Sequence, residues 1–249
     1  MPPKKPRYRR VLLKLSGEAF CREGSRGIDP DIALGIAREV RDAAALGTQV
    51  AVVVGGGNFV RGSELSGKGI GAATADYMGM LATVINALGF QDVLEQVGAV
   101  TRVQTALSVF SVAEPFIRRR CLRHLEKGMI VILAAGTGNP HFTTDTAAAL
   151  RAAEIGADVI LKGTKVDGVY TADPKRDPRA VRFARISYQD AIDRRLRIMD
   201  ATSFTLCMEK RIPIRIFNMK KPGNIVRAVR GEPIGTEVGP FDGPPVMVK

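Results

Sequence analysis

Apolar runs of strand length alternate along this chain with segments whose apolar residues recur at helical spacing. Val11–Leu15 reads as the first strand. Asp29-Pro30 then opens a helix, with Ile32, Ile36, Val40 and Ala44 at four-residue spacing and Gly47 as its stop. Val50–Val54 is a continuous apolar run, as expected of a strand buried on both faces of a parallel sheet. Asp76 begins another periodic stretch, with Met80, Val84 and Leu88 on one face. Val97–Thr101, Met129–Leu133, Val159–Leu161 and Ile212–Phe217 read as strands. Helical patterns lie near 111–126, 145–155, 187–196, 202–210 and 223–230. Repeated strand–helix–strand units imply an α/β fold, a three-layer sandwich with a mainly parallel central sheet. No internal repeat or long linker interrupts it, so one domain is expected. Ligands of such sheets bind beyond the carboxyl ends of the strands, and chemistry is sought there.

Three strand ends are rich in small and polar residues. They are Lys14-Leu15-Ser16-Gly17, Gly55-Gly56-Gly57-Asn58, and Ala134-Ala135-Gly136-Thr137-Gly138-Asn139-Pro140 with His141-Phe142-Thr143-Thr144-Asp145. One glycine after a strand suits a tight turn. Three in succession favour backbone N–H groups converging on an anion. Arg61 lies four residues on and could add a bidentate phosphate contact. Thr144 or Asp145 caps a helix, and the same helix N-terminus attracts anions. Lys14 and Lys162 each stand at the end of an apolar strand, a costly place for an ammonium unless it is paired or working. Phosphoryl transfer needs positive charge on the moving group and on the leaving group. Two lysines and a metal would supply it, with Asp145 holding the lysines.

Two glycine-rich matches fail on context. Gly62–Gly69 has Walker A spacing, but Gly69 replaces the Ser or Thr that binds Mg²⁺ and no strand precedes it. Gly67–Ala72 matches a dinucleotide fingerprint but also lacks the strand. This stretch is expected to be a mobile loop near the site.

Composition narrows the class of partner. Of 249 residues, 37 are Lys or Arg and 25 Asp or Glu, a net charge of +12 that points to anionic ligands. Five of the cations fall in residues 1–10, which also hold three prolines and read as a disordered basic arm. The arm is assigned to 1–8, the domain to 9–239 and a tail to 240–249. Apolar residues make up 45%, which rules out global disorder. The longest apolar runs are too short for a transmembrane helix. No secretory signal is visible, and Cys21, Cys121 and Cys207 form no disulfide framework, so a cytoplasmic protein is expected. With only His124 and His141, a histidine-based zinc site is not expected. Trp is absent and no aromatic–basic RNA motif is present, so nucleic acid is not the expected partner.

Taken together, these stretches resemble the bacterial uridylate kinases (UMP kinases) of the amino acid kinase superfamily. The resemblance rests on Leu12–Glu18, Gly55–Gly62, Asp76–Thr83, Ala135–Pro140 with Phe142–Asp145, Thr164–Pro174, and Pro213-Ile214 with Phe217-Asn218. It runs collinearly from about 9 to 239. It implies transfer of the ATP γ-phosphoryl group to UMP with Mg²⁺, in a homohexamer regulated by GTP and UTP. It divides the domain into a UMP-binding part (about 9–157) and an ATP-binding part (about 158–239). It assigns Lys14, Leu15, Ser16, Gly17, Gly57 and Arg61 to the ATP phosphates, and Thr164, Tyr170 and Asp173 to adenosine. Lys14, Lys162 and Asp145 are the catalytic set. Gly56, Arg61 and Thr144 meet the UMP phosphate, Asp76 the ribose, and Thr137, Gly138, Asn139, Pro140, His141 and Phe142 the uracil, with Thr143 also in the UMP-binding set. No protein side chain is assigned to the metal, which ATP itself would carry.

Arg22, Glu23, Gly24, Ser25, Arg26 and Gly27 match the family's GTP-response segment, and Arg102 is retained from its inter-subunit site. The surroundings at Gln91, Glu95 and Arg118 lack several residues of GTP-activated members. His141 stands where many relatives carry an aromatic. The alternatives are a related kinase acting on a carboxylate or carbamate, and a nucleotide-sensing or nucleic-acid-binding regulator. The Thr137–Asp145 stretch argues against the first.

Overall fold

The computed structural model describes residues 6–65, 69–174 and 176–248. Among these, ten strands form one sheet: β1 (Arg10–Leu15), β2 (Gln49–Val54), β3 (Thr101–Thr105), β4 (Glu114–Pro115), β5 (Ile130–Ala134), β6 (Val159–Thr164), β7 (Phe183–Ser187), β8 (Ile214–Asn218), β9 (Thr236–Gly239) and β10 (Val246–Met247). Their order is β10-β7-β9-β8-β6-β1-β2-β5-β3-β4. All pairings are parallel except β8–β9 and β10–β7. β1, β2 and β5 are buried along almost their whole length, which is why they read as continuous apolar runs.

The helices are α1 (Pro30–Ala44), α2 (Gly62–Leu65), α3 (Ala72–Gln96), α4 (Arg118–Glu126), α5 (Thr144–Ile155), α6 (Tyr188–Asp193), α7 (Ala201–Glu209) and α8 (Asn224–Val229), and a 3₁₀ turn covers Gly17–Phe20. One core lies between the sheet and α1, α3 and α8, and a second between the sheet and α4, α5, α6 and α7. The expected three layers are therefore present. Among the described residues, no helix is long and apolar enough to cross a membrane.

Several local expectations are corrected. Val97–Thr101 is not a strand. α3 runs to Gln96, Gly98 turns with φ +85°, and β3 starts at Thr101. The helix expected from 111 starts at Arg118 instead. Pro115 disfavours helical backbone at Glu114, and both residues form the short edge strand β4 beside β3. β7 and β9 went unpredicted because they are short and mixed in polarity, and β10 because it has only two residues. β10 ties part of the expected tail to β7. Of the expected arm, residues 1–5 lie outside the described residues. Tyr8 is not free: it is buried in the first core, and its carbonyl accepts the Thr48 hydroxyl at 3.1 Å. An apolar ring next to a strand start loses less by packing than by staying in water. The glycine-rich stretch begins as α2, and its residues 66–68 lie outside the described residues.

Candidate active site

The parallel register of β1 and β6 sets Lys14 directly opposite Lys162. Both side chains turn towards the N-terminus of α5, where Asp145 stands in the first turn. Lys14 Nζ lies 2.8 Å from Asp145 Oδ1, and Lys162 Nζ lies 2.6 Å from Asp145 Oδ2. The side chains are only 11% (Lys14), 14% (Lys162) and 15% (Asp145) exposed, so neither lysine is a surface residue reaching for water. Lys162 also donates to the Ile198 carbonyl at 2.6 Å. Burial would raise the Asp145 pKa, but the charges of Lys14 and Lys162 outweigh it and hold the carboxyl below its usual value. Burial lowers the Lys162 pKa; Asp145 opposes this, and Lys14 adds to it. The result is a buried pair of cations around one anion, with one excess positive charge.

Asp145 is held by its own helix start. The cap of α5 is Thr143, not Thr144 or Asp145 as expected, because both of those already lie in the helix's first turn; the Thr143 hydroxyl accepts from Asp145 N at 3.0 Å and Thr146 N at 3.3 Å. It donates in turn to Asp200 Oδ2 at 2.6 Å, and the Thr146 hydroxyl donates to Asp200 Oδ1 at 3.0 Å. Asp200 also caps α7 through Ser203 N at 2.9 Å. Burial pushes its pKa up, but these hydrogen bonds prevail and keep it low. Sequence reading assigned Asp200 no role. Its only signal was a carboxylate placed to cap the helix expected at 202–210.

The three glycines divide into two kinds. A Cβ on Gly55 would fall 2.8 Å from Gly17 N, and one on Gly56 would fall 2.6 Å from Gly79 O. Both are therefore explained by close backbone packing. A Cβ on Gly57 would meet nothing within 4 Å, so Gly57 alone faces open space. The loop is anchored by a buried amide pair, Asn58 with Asn86 of α3, and Asn86 Nδ2 also donates to Gly55 O at 2.7 Å. Asn86 was missed; a lone Asn within an apolar helix face was its trace.

The third strand-end loop folds back onto α3. Asp76 Oδ2 accepts His141 N at 2.8 Å, joining Asp76 to the 137–142 segment. His141 has φ +69° and Ala135 φ +61°, unusual for residues with a Cβ. Ala135 N is held by the buried Thr83 hydroxyl at 2.7 Å. Thr137 Oγ1 accepts Asn139 N at 3.2 Å, and Phe142 is an exposed aromatic beside them.

Two clefts open at these strand ends. The first, about 570 Å³, is lined by Gly57, Arg61, Lys165 and the whole 22–26 stretch, among others. The second, about 500 Å³ and mostly apolar, is lined by Ser16, Ile36, Thr164, Met219, Pro222 and neighbours. Glu18 and Lys165 belong to both. Tyr170 and Asp173 line neither: Tyr170 bridges to Arg182, and the Asp173 carbonyl closes a turn with Arg176 N and Asp177 N. Arg102 lies apart from the 22–27 segment, in a shallow groove with Gln91, Phe110 and Glu114. Among the described residues, no group of three or more His, Cys, Asp or Glu is suited to a metal. Both oxygens of Asp145 already face lysines, and both oxygens of Asp200 are hydrogen-bonded.

Residues 9–218 match the model of the amino acid kinase family. A UMP kinase from Bacillus anthracis superposes with TM-score 0.93 at 36% identity, covering 97% of this chain and 99% of the other. A UMP kinase from Ureaplasma parvum gives TM-score 0.89 at 35% identity, with 94% and 99% coverage. A uridylate kinase from Archaeoglobus fulgidus gives 0.72 at 29%, with 92% and 99%.

Proposed function

The chain belongs to the amino acid kinase family, and we propose that within it the protein transfers the γ-phosphoryl group of ATP to UMP, giving UDP and ADP. One observation carries the chemistry: Lys14 and Lys162, in register on adjacent strands, share the carboxylate of Asp145. The acceptor is carried by the similarity to UMP kinases over nearly the whole chain.

An oxygen of the UMP phosphate attacks the γ-phosphorus in line, and the bond to the β–γ bridging oxygen breaks. The acceptor is already an anion at neutral pH, so the site needs positive charge more than a base. Lys14 faces the ATP phosphates with Leu15, Ser16 and Gly17, and Gly57 is the glycine of the triplet whose Cβ position opens on free space. Lys162 stabilises charge on the moving phosphoryl group. Asp145 orients both ammoniums and takes no proton. The buried, fixed positions of these groups spare the reaction the reorganisation that water would need.

On the acceptor side, Gly56, Arg61 and Thr144 meet the phosphate, Asp76 the ribose, and Thr137–Phe142 the base. Thr164, Tyr170 and Asp173 serve the adenosine. Magnesium would supply further charge neutralisation on the nucleotide phosphates. The carboxylates nearest the lysines are engaged, so no side chain is assigned to it and it arrives with ATP. Arg22–Gly27 and Arg102 are the places where the family's response to GTP and UTP would act, and the residues at Gln91, Glu95 and Arg118 argue against activation by GTP in this chain. The family resemblance implies a homohexamer, and the exposed stripe Tyr77, Leu81 and Ile85, one helical turn apart on α3, offers a surface for contact between copies. The setting is the cytoplasm, in pyrimidine nucleotide synthesis.

Coupled ADP release with UMP, CMP, dTMP, glutamate and aspartate as acceptors, with and without GTP and UTP, tests the reading. Turnover on UMP is expected. Turnover on an amino acid but not on UMP would reverse the acceptor assignment.

A further inference from the structure

A chain of alternating charges crosses the cleft that contains Arg61. Lys165 Nζ lies 2.8 Å from Glu18 Oε2, and Glu18 Oε1 accepts from Arg61 Nη2. Arg61 Nη1 lies 3.8 Å from Glu64 Oε1, and Glu64 Oε2 lies 3.7 Å from Arg26 Nη2. The five side chains come from the loop after β6, the 3₁₀ turn after β1, the loop after β2, α2, and the 22–27 segment. All five line the same cleft.

Glu18 holds the pivotal place. Its two oxygens bind two cations from two different loops, so one negative charge serves two positive ones. Glu18 and Lys165 also line the second cleft, where Ser16 and Thr164 lie. They therefore form the partition between the two clefts. An anion arriving at Arg61 competes with Glu18, and so does an anion arriving at Lys165. The first to arrive takes one cation from Glu18 and leaves the carboxylate wholly to the other, so the second meets a stronger competitor. Ligands related in this way bind with negative coupling.

We infer that Glu18 is a shared counter-ion that couples occupancy of the acceptor cleft, through Arg61, to occupancy of the donor side, through Lys165. The inference rests on the reading above, in which two phosphate-bearing nucleotides meet at these strand ends. The pairs are partly exposed, with side-chain exposures of 34% (Glu18), 50% (Arg61) and 44% (Lys165). Exposed pairs are individually weak, so the coupling factor is modest, about three- to tenfold. It shrinks as salt screens the charges.

The test is calorimetric titration of UMP into the full chain, with and without a saturating non-hydrolysable ATP analogue. In the wild type the analogue weakens UMP binding about three- to tenfold. Glu18→Gln binds UMP more tightly than the wild type when alone, and the analogue no longer changes its affinity. Lys165→Gln leaves Glu18 wholly to Arg61, so UMP alone binds more weakly and the coupling is again lost. Glu18→Asp keeps the charge at shorter reach and recovers part of the coupling, which a merely structural role would not explain. An unchanged coupling factor in Glu18→Gln overturns the inference alone, as does a wild type that binds both ligands without coupling. A wild type that binds no UMP overturns the acceptor assignment, and this inference with it.

Discussion

Lys14 and Lys162 occupy directly paired positions on neighbouring parallel strands, and their ammonium groups close on opposite oxygens of one carboxylate, Asp145. This places two positive charges at the mouth of the sheet in a geometry fixed by backbone register. A one-residue slip would send one of them to the other face.

Lys162→Ala should lower kcat about 100- to 1000-fold while leaving KM for ATP and UMP within a fewfold, because its charge matters most in the transition state. Steady-state kinetics checks this. Wild-type kcat in that variant would remove Lys162 from the mechanism.

The Lys162 pKa lies below the ordinary 10.5 because of burial, opposed chiefly by Asp145. The ammonium is the working form, so kcat should fall with rising pH before 10.5 is reached. Asp145→Asn removes the main upward influence and should move that fall to still lower pH. A pH–kcat profile unchanged by the substitution contradicts the pairing.

Asp145 has the opposite linkage. Its folded pKa lies below 3.8, so its stabilising contribution is complete above that value and disappears as pH falls through the depressed one. At pH 7, Asp145→Asn leaves two buried ammoniums without their anion and should cost about 3–5 kcal/mol. Urea unfolding should show this loss at pH 7 and a smaller one near pH 3. A constant difference between the two pH values would be the contrary result.

The glycine loop gives a paired test. Gly56→Ala should destabilise the fold by about 1–3 kcal/mol, because its Cβ would meet Gly79 O at 2.6 Å on a helix backbone that cannot move away cheaply. Gly57→Ala should leave Tm nearly unchanged, since its Cβ meets nothing within 4 Å, yet raise KM for ATP. Equal effects on Tm would contradict the division of roles.

Asp76→Asn weakens the acceptor for the backbone of His141 and changes the group assigned to the ribose. It should chiefly raise KM for UMP, about tenfold, with KM for ATP little altered. An unchanged KM for UMP removes Asp76 from the acceptor site.

The central strands and the lysine pair were legible because parallel strands buried on both faces leave apolar runs, against which a Lys stands out. The strands β4, β7, β9 and β10 at the two ends of the sheet order carry no such signal, being short and without a long apolar run. The glycine triplet was read as one anion nest, but two of its members serve close packing, which only the approach of Gly17 and Gly79 reveals. Asp200, Asn86 and the bridging role of Glu18 were hidden for a related reason. Their partners lie 57, 28, 43 and 147 residues away in sequence, and no local pattern encodes such pairings.

The most direct measurement follows the phosphorus. The protein is incubated with ATP labelled on the γ-phosphorus, UMP and magnesium, and the products are separated. The account predicts label in the β-position of UDP for the wild type, and at least 100-fold less in Lys162→Ala, on the order of one lost transition-state contact. Label in inorganic phosphate or in an acyl phosphate, or equal UDP labelling by the variant, would contradict it.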